Sequence, residues 1–232
     1  MDLTRSYLDA WSISSLRHFG GNVTSCMALV PQVIFRSLVS CKRPPFACRM
    51  SDDFQPENEE AHGWHVWVNA FNGILARHLN VVPDWDMIQT VGPFAGFHAA
   101  ARCLSGGPVY ITDVPGEHDL DLIGEMTATT ARGGTVVLRP SVPAKAIDPY
   151  VSYSDGVLLK VGGYNGKDTR SLIKNLALTR YRFVSNRDTY PRGFQRLLQA
   201  CHRTPPPLHI PRRRGAGVYR NISRLPDHQR AL

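Results

Sequence analysis

"CRMSDDFQPENEEAHGWHVWVNAFNGILARHLNVVPDWDMIQT", residues Cys48–Thr90, changes its hydrophobic period twice. Pro45–Met50 is a short strand-like run that leads into Ser51-Asp52-Asp53. Ala61–Leu79 then carries Trp64, Trp67, Val68, Phe71, Ile74 and Leu75 on a broad stripe, the period of an amphipathic helix. Val81–Met87 returns to a strand pattern and contains "DWDM". Strand, helix and strand with short joins form a β–α–β unit, whose strands lie parallel. Ligand sites of such sheets lie beyond the carboxyl ends of the strands. Both acidic clusters fall there.

The alternation continues outward in both directions. Upstream, Leu8, Trp11, Ile13, Leu16 and Phe19 give Tyr7–Phe19 a near-helical period, ended by Gly20-Gly21. Asn22–Leu29 reads as a buried strand, and Gln32–Val39 as a short helix after Pro31. Downstream, the pattern predicts a helix over Phe94–Leu104, a β-rich run over Pro108–Thr112 and a helix over His118–Thr127. Asp119 and Asp121 stand in the first turn of that last helix, where the helix dipole favours acids. Three polar clusters, "RMSDDF", "PDWDMIQ" and "TDVPGEHD", then share one edge, which suits the mouth of a (β/α) barrel. After Thr130 the style changes. "GGTVVLRP" and "GVLLKVGGYNG" read as antiparallel strands of a second, β domain.

The chain has 232 residues, 43% of them hydrophobic, enough for a sizeable core. Its net charge of +8 suggests nucleic acid, but the distribution argues otherwise. Residues 167–232 hold 15 of the 27 basic and 3 of the 19 acidic residues, so the remaining 166 residues are net acidic. That tail, with Pro205-Pro206-Pro207 and Arg212-Arg213-Arg214, reads as disordered or as foreign to the fold; a nucleic-acid-binding arm is the third reading. Five cysteines without C-x-x-C spacing point to a reducing compartment, the cytoplasm. No leader segment is recognised, and the longest apolar stretch, Cys26–Phe35, is short and broken by Pro31, so no membrane is expected.

Candidate chemistry concentrates in the acidic clusters. On an extended segment Arg49, Ser51 and Asp53 share one face, and Met50 and Asp52 the other. With Met50 turned to the core, Arg49 and Asp53 face the mouth, where the arginine steadies the carboxylate. The plain alternative is that Asp52 or Asp53 caps the next helix. In "PDWDMIQ" Asp84 and Asp86 share a face, with Trp85 opposite. Carboxylates that bond hydroxyls beside an aromatic ring suit a sugar; the plain alternative for Asp84 is a cap or an ion pair. His62 and His65 stand three apart, but without a third ligand they read as satisfied partners, and so do the lone His98 and His118. No G-x-S-x-G, phosphate loop or dinucleotide fingerprint is present, and "GGYNGKDT" lacks the lysine-serine ending of a phosphate loop. No metal and no cofactor are expected.

These stretches, together with "FAGFHAAARCLSGGPVYITDVPGEHDLDLI" and "GGTVVLRP", resemble the raffinose synthase and seed-imbibition-protein group of α-galactosidase-like enzymes in glycoside hydrolase family 36, most closely its fungal members. The resemblance runs from about residue 22 to residue 166. It implies hydrolysis or transfer of α-galactosyl groups on raffinose-type oligosaccharides with retention of configuration. It also implies a (β/α)8 barrel followed by a C-terminal β domain. The R-x-x-x-D pattern of the wider α-galactosidase clan maps onto Arg49 and Asp53, making Asp53 the general acid/base and Arg49 its orienting partner. Asp86 maps onto a sugar-binding aspartate, with Met87 beside it and Asp84 and Trp85 in the same "DWDM" motif. Cys26 and Met27 fall where further substrate contacts lie, and Asp113 is a weaker candidate of the same kind. The clan's nucleophile lies in a K-x-D motif, and the 232 residues contain none. A retaining glycosidase needs two carboxyl groups.

The expected architecture is therefore α/β: an incomplete (β/α)8 TIM-type barrel, its C-terminal half, over 1–128; the beginning of an antiparallel β domain over 129–166; and an irregular basic tail over 167–232. The expected function is that of a glycoside hydrolase or galactosyltransferase acting on α-galactosides, with the isolated chain inactive for lack of the nucleophile strand. A non-catalytic carbohydrate-binding remnant and a basic-tailed nucleic-acid-binding protein are the alternatives. The expected partner is an α-galactosyl oligosaccharide, with no nucleic acid.

Overall fold

The computed structural model describes residues 3–39, 43–92, 94–155, 157 and 159–164, and the backbone of 176–179 and 182–184. Helix α1 (Leu3–Phe19) leads to the short strand β1 (Thr24–Ser25). Helix α2 (Pro31–Val33) opens with Pro31 at its first position and continues as a π turn over Ile34–Leu38. Strand β2 (Phe46–Arg49), helix α3 (Glu59–Ala76) and strand β3 (Val81–Asp84) form the β–α–β unit read from Cys48–Thr90. Helix α4 (Ala95–Ser105) follows and ends on Gly106 in the left-handed region, the usual glycine stop. The three strands pair in the order β1-β2-β3, all parallel. A parallel bridge between Ile88 and Ile111 adds the Pro108–Thr112 run beside the end of β3, with Ile88 N bonded to the Tyr110 carbonyl and Thr112 N to the Ile88 carbonyl.

Helix α3 uses only part of the predicted stripe: Phe71 and Ile74 pack against the core, whereas Trp64 and Leu75 are exposed. Its buried residues are His62, His65, Val66, Asn69, Ala70, Gly73 and Ala76, at helical spacing. The aromatic residues stack along the flank, Trp64 on Trp67 at 5.1 Å and Trp67 on Phe71 at 4.1 Å between ring centres. Small residues let the helix approach its neighbours. At Gly73 an added Cβ would stand 3.0 Å from the Ala144 carbonyl oxygen of β6 (Val142–Ala146). The histidines and Asn69 are admitted because each finds an internal hydrogen-bond partner.

After α5 (Leu120–Met126) the chain turns antiparallel as expected. Strands β4 (Thr127–Thr129) and β5 (Thr135–Val137) form a hairpin. Strand β6 begins a four-stranded sheet with β7 (Leu159–Tyr164), β8 (Leu176–Thr179) and β9 (Arg182–Val184) in that order. This sheet continues beyond residue 167, where the sequence reading leaves secondary structure behind. The alternating "LALT" and "RFV" runs pair onto an existing edge despite the basic surroundings. The rest of the Arg/Pro-rich tail, and with it the nucleic-acid reading, lies outside the described residues. Among the described residues no helix is long and apolar enough to cross a membrane.

Candidate functional site

Arg49 ends β2 in register with Asp84, so both side chains emerge from the same side of the sheet edge. The guanidinium is the hub of a four-partner cluster. Its Nε donates to Asp84 Oδ2 at 3.1 Å, and its Nη2 to the Tyr110 hydroxyl at 2.8 Å. Its Nη1 reaches Asp86 Oδ2 at 2.9 Å and Asp53 Oδ1 at 3.0 Å. The Tyr110 hydroxyl points in turn at Asp84, 3.1 Å away, and Asp86, 3.2 Å away. A planar fork with five donors suits this task, because it serves acceptors in several directions at once.

The three carboxylates differ in their access to solvent. The side chains of Asp84 and Asp86 are 0% and 3% exposed, whereas that of Asp53 is 82% exposed. Asp86 is saturated. Oδ2 accepts from Phe54 N at 2.6 Å as well as from Arg49, and Oδ1 accepts from Met87 N at 2.7 Å and from Tyr110. Asp84 Oδ1 also receives Asp86 N at 2.9 Å. Asp53 alone combines a partner in the cluster with an open face.

Asp86 has φ +71°, in the left-handed region. Aspartate enters that region more readily than most residues because its short side chain bonds the local backbone, as it does here with Met87 N. From below, the buried Arg102 holds the turn, donating from Nε to the Asp86 carbonyl at 3.3 Å and from Nη2 to the Met87 carbonyl at 3.0 Å.

Electrostatics follow from this layout. Burial opposes the Arg49 charge, but the hydrogen bond to Asp84 and the charge of Asp86 outweigh it and hold the guanidinium above its ordinary pKa. Burial raises the Tyr110 phenol, and Asp84 and Asp86 raise it further, so its proton stays on. Burial draws Arg102 down to about 9 against the pull of Asp86 and Asp84, leaving it charged at neutral pH. Burial also pushes the Cys48 and Cys103 thiols up to about 12, which makes both inert as nucleophiles.

The sequence-predicted residues separate into groups. Arg49, Asp53, Asp84 and Asp86 converge. The meeting of Arg49 with Asp53 does not arise from strand alternation: four extended residues would separate them by about 13 Å. The strand stops at Arg49, the chain bends at Ser51-Asp52, and the turn carries Asp53 back to the guanidinium. Met50 is buried as expected, and Asp52 faces solvent. Trp85 is fully buried, so its ring is packed in the core and offers no face for stacking. Met87 is half-buried behind the Asp86 turn.

Cys26 and Met27 follow β1; Cys26 is exposed and Met27, at φ +52°, is 88% exposed. Asp113 is engaged by Thr90 through both its N–H and its hydroxyl, and by His118 Nδ1 at 3.2 Å. Burial would raise its carboxyl, but these bonds hold it below the ordinary value. Among the described residues no group of three metal-ligating side chains gathers. His98, read as lone, touches both His62 and Arg102. Sequence reasoning missed Tyr110 and Arg102 altogether. Tyr110 stood in "PVYIT" as one more β-forming residue, and Arg102 lay within the Phe94–Leu104 helix with no role read for it.

A family model described as raffinose synthase or seed imbibition protein Sip1 matches residues 1–149. The chain belongs to this raffinose synthase/Sip1 family. Among its curated relatives, a probable galactinol–sucrose galactosyltransferase 1 of Arabidopsis thaliana is 32% identical over 173 residues, 74% of this chain and 20% of the relative. A probable galactinol–sucrose galactosyltransferase 6 of the same plant is 31% identical, covering 62% of this chain and 18% of the relative. A stachyose synthase of Pisum sativum is 31% identical over 54% of this chain and 15% of its own length. The chain thus spans about a fifth or less of these raffinose synthase/Sip1 relatives. The matched family region contains the whole Arg49 cluster.

Proposed function

We propose that this chain carries the proton-transfer side of a site that hydrolyses or transfers α-galactosyl groups on raffinose-type oligosaccharides. One observation carries the reading. A single guanidinium holds two buried carboxylates and one exposed one, and the exposed one, Asp53, completes the R-x-x-x-D pattern. Asp53 is the general acid/base. As the glycosidic bond breaks it gives its proton to the leaving oxygen, and it then takes a proton from the incoming hydroxyl, of water or of a sugar. Arg49 fixes its orientation. Asp84 and Asp86 serve by aiming Arg49, and a sugar hydroxyl reaches Asp86 only by displacing one of its present donors. Cys26 and Met27, exposed beyond the end of β1, are the further sugar contacts, while Met87 acts through its N–H, which holds Asp86. Asp113 stiffens the neighbouring strand end through Thr90.

Two carboxyl groups are needed for retention, and the saturated Asp86 is a poor nucleophile. The nucleophile therefore comes from a K-x-D strand outside these 232 residues. The whole protein is a (β/α)8 barrel enzyme of glycoside hydrolase family 36, working in the cytoplasm, with this parallel sheet as part of the barrel. The strand order β1-β2-β3 and the Ile88–Ile111 bridge support that reading. So do the exposed apolar residues on the elements that flank β1 in sequence, among them Tyr7, Phe19 and Phe35, where further β–α units would pack. The names of the relatives favour transfer from galactinol to sucrose over hydrolysis.

The test is a chimaera in which residues 22–149 replace the matching segment of a plant relative. Incubated with galactinol and sucrose, it should form raffinose. A folded chimaera that binds neither sugar and moves no galactosyl group would sink the proposal.

A further inference from the structure

We propose that Arg102, His98 and His62 are positioning residues of this site: a one-way hydrogen-bond relay through the core that holds the Asp86 turn and, through it, the aim of Arg49. The inference rests on the reading of the Arg49 cluster as the working site.

A guanidinium has donors and no acceptor. Arg102 Nη1 lies 2.7 Å from His98 Nδ1, so that nitrogen accepts and carries no proton. The proton of the neutral His98 ring is then on Nε2. It lies 2.5 Å from His62 Nδ1, which must accept in its turn. The His62 proton is thereby on Nε2, where it meets the Pro56 carbonyl at 3.1 Å. One donor at one end and one carbonyl at the other fix every proton between them. The relay encloses Phe54, whose ring centre lies 4.6 Å from that of His98 and 5.4 Å from that of His62, with the Arg102 guanidinium 5.2 Å away. The backbone N–H of the same Phe54 binds Asp86.

Arg102 has no carboxylate in contact among the described residues, and its buried charge is met by two carbonyls and the His98 nitrogen. Protonating His98 or His62 sets two N–H groups against each other at one of the short contacts. The surrounding charges sharpen this. His98 faces Arg102 on its own helix and His62 and His65 on α3; His62 also faces Glu59, whose charge acts the opposite way. Beyond the turn lie Asp86, Asp84, Tyr110 and Arg49. Burial, then Arg102, holds His98 well below its ordinary value, in keeping with a neutral relay.

The experiment uses the full 232-residue chain labelled with nitrogen-15. Imidazole spectra at pH 7.5 should show unprotonated Nδ1 and protonated Nε2 at both His98 and His62. The opposite tautomer, or an imidazolium, at either ring overturns the relay. The Arg49 Nε–H signal, protected by Asp84, reports the aim. It should be lost in His98→Leu and retained in His98→Gln, which offers an acceptor and a donor of its own. Survival in a folded His98→Leu protein overturns the positioning role. If that variant does not fold, acid titration of the parent chain decides. The Arg49 signal should fade with His98 protonation, and its persistence beside a His98 imidazolium refutes the proposal. Galactosyl transfer by the chimaera is the separate arm: a correct relay with no transfer by the folded chimaera would overturn the sugar reading and leave the relay standing.

Discussion

At the scale of single residues, the site is an exercise in keeping two carboxylates out of water. One arginine serves Asp84 and Asp86, and the Tyr110 hydroxyl bridges all three. Such a group is costly to break from one side, because an unpaired charge is left buried. Arg49→Lys keeps the charge and loses the fork. It should destabilise the chain by about 3 kcal/mol, read as the shift in a urea unfolding midpoint. Tyr110→Phe removes one hydroxyl and should cost about 1 kcal/mol. If Tyr110→Phe proved the more damaging of the two, Arg49 would not be the centre of the cluster. R-x-x-x-D was legible in the sequence as a pair. The cluster was not, because Asp84 and Tyr110 lie 35 and 61 residues from Arg49 and only strand register brings them together.

Elements are set by backbone approach as much as by hydrophobic period. The β–α–β unit of Cys48–Thr90 was plain in the sequence because its period switches at the right places. The face that α3 buries was not. A hydrophobicity reading selects the tryptophans along with Phe71 and Ile74, whereas the most buried positions are the histidines, Val66, the small residues and Asn69. Glycine marks the close approaches that period cannot show. Gly107, between α4 and the Pro108–Thr112 run, would drive an added Cβ into the Pro83 carbonyl of β3. Backbone on both sides leaves no flexible group to yield. Gly107→Ala should therefore lower the melting temperature far more than Gly116→Ala, whose added Cβ meets nothing within 4 Å although its φ is positive. Calorimetry on the two variants compares close approach with backbone strain directly. Equal losses would show that the close approach of Pro83 at Gly107 costs no more than the backbone strain at Gly116.

Across the whole molecule, His62, His65 and His98 converge behind the site, and burial lowers the pKa of each. For His65, burial and then Arg102 bring it down to about 3, with its Nε2–H donated to the Trp85 carbonyl at 3.2 Å. A folded-state pKa below the unfolded value of about 6.5 means that the unfolded chain binds protons first on acidification. The stabilisation is complete above about pH 6.5 and is lost as the pH falls towards 3. At pH 5 the loss from His65 alone is about 2 kcal/mol. The unfolding midpoint should drop between pH 7.5 and 5, and His65→Gln should flatten that slope. A midpoint independent of pH across this range would contradict neutral, buried histidines.

In the proposed function Asp53, and not its neighbour Asp52, moves the proton. Asp52 and Asp53 are adjacent and both exposed, so composition and local charge are the same for either; contact with Arg49 separates them. In the chimaera with a plant relative, galactosyl transfer from galactinol to sucrose should fall at least about 100-fold in Asp53→Asn, the contribution expected of a general acid/base. It should stay within a few-fold of the parent in Asp52→Asn. Full transfer by Asp53→Asn, or an equal loss in both variants, would contradict the claim.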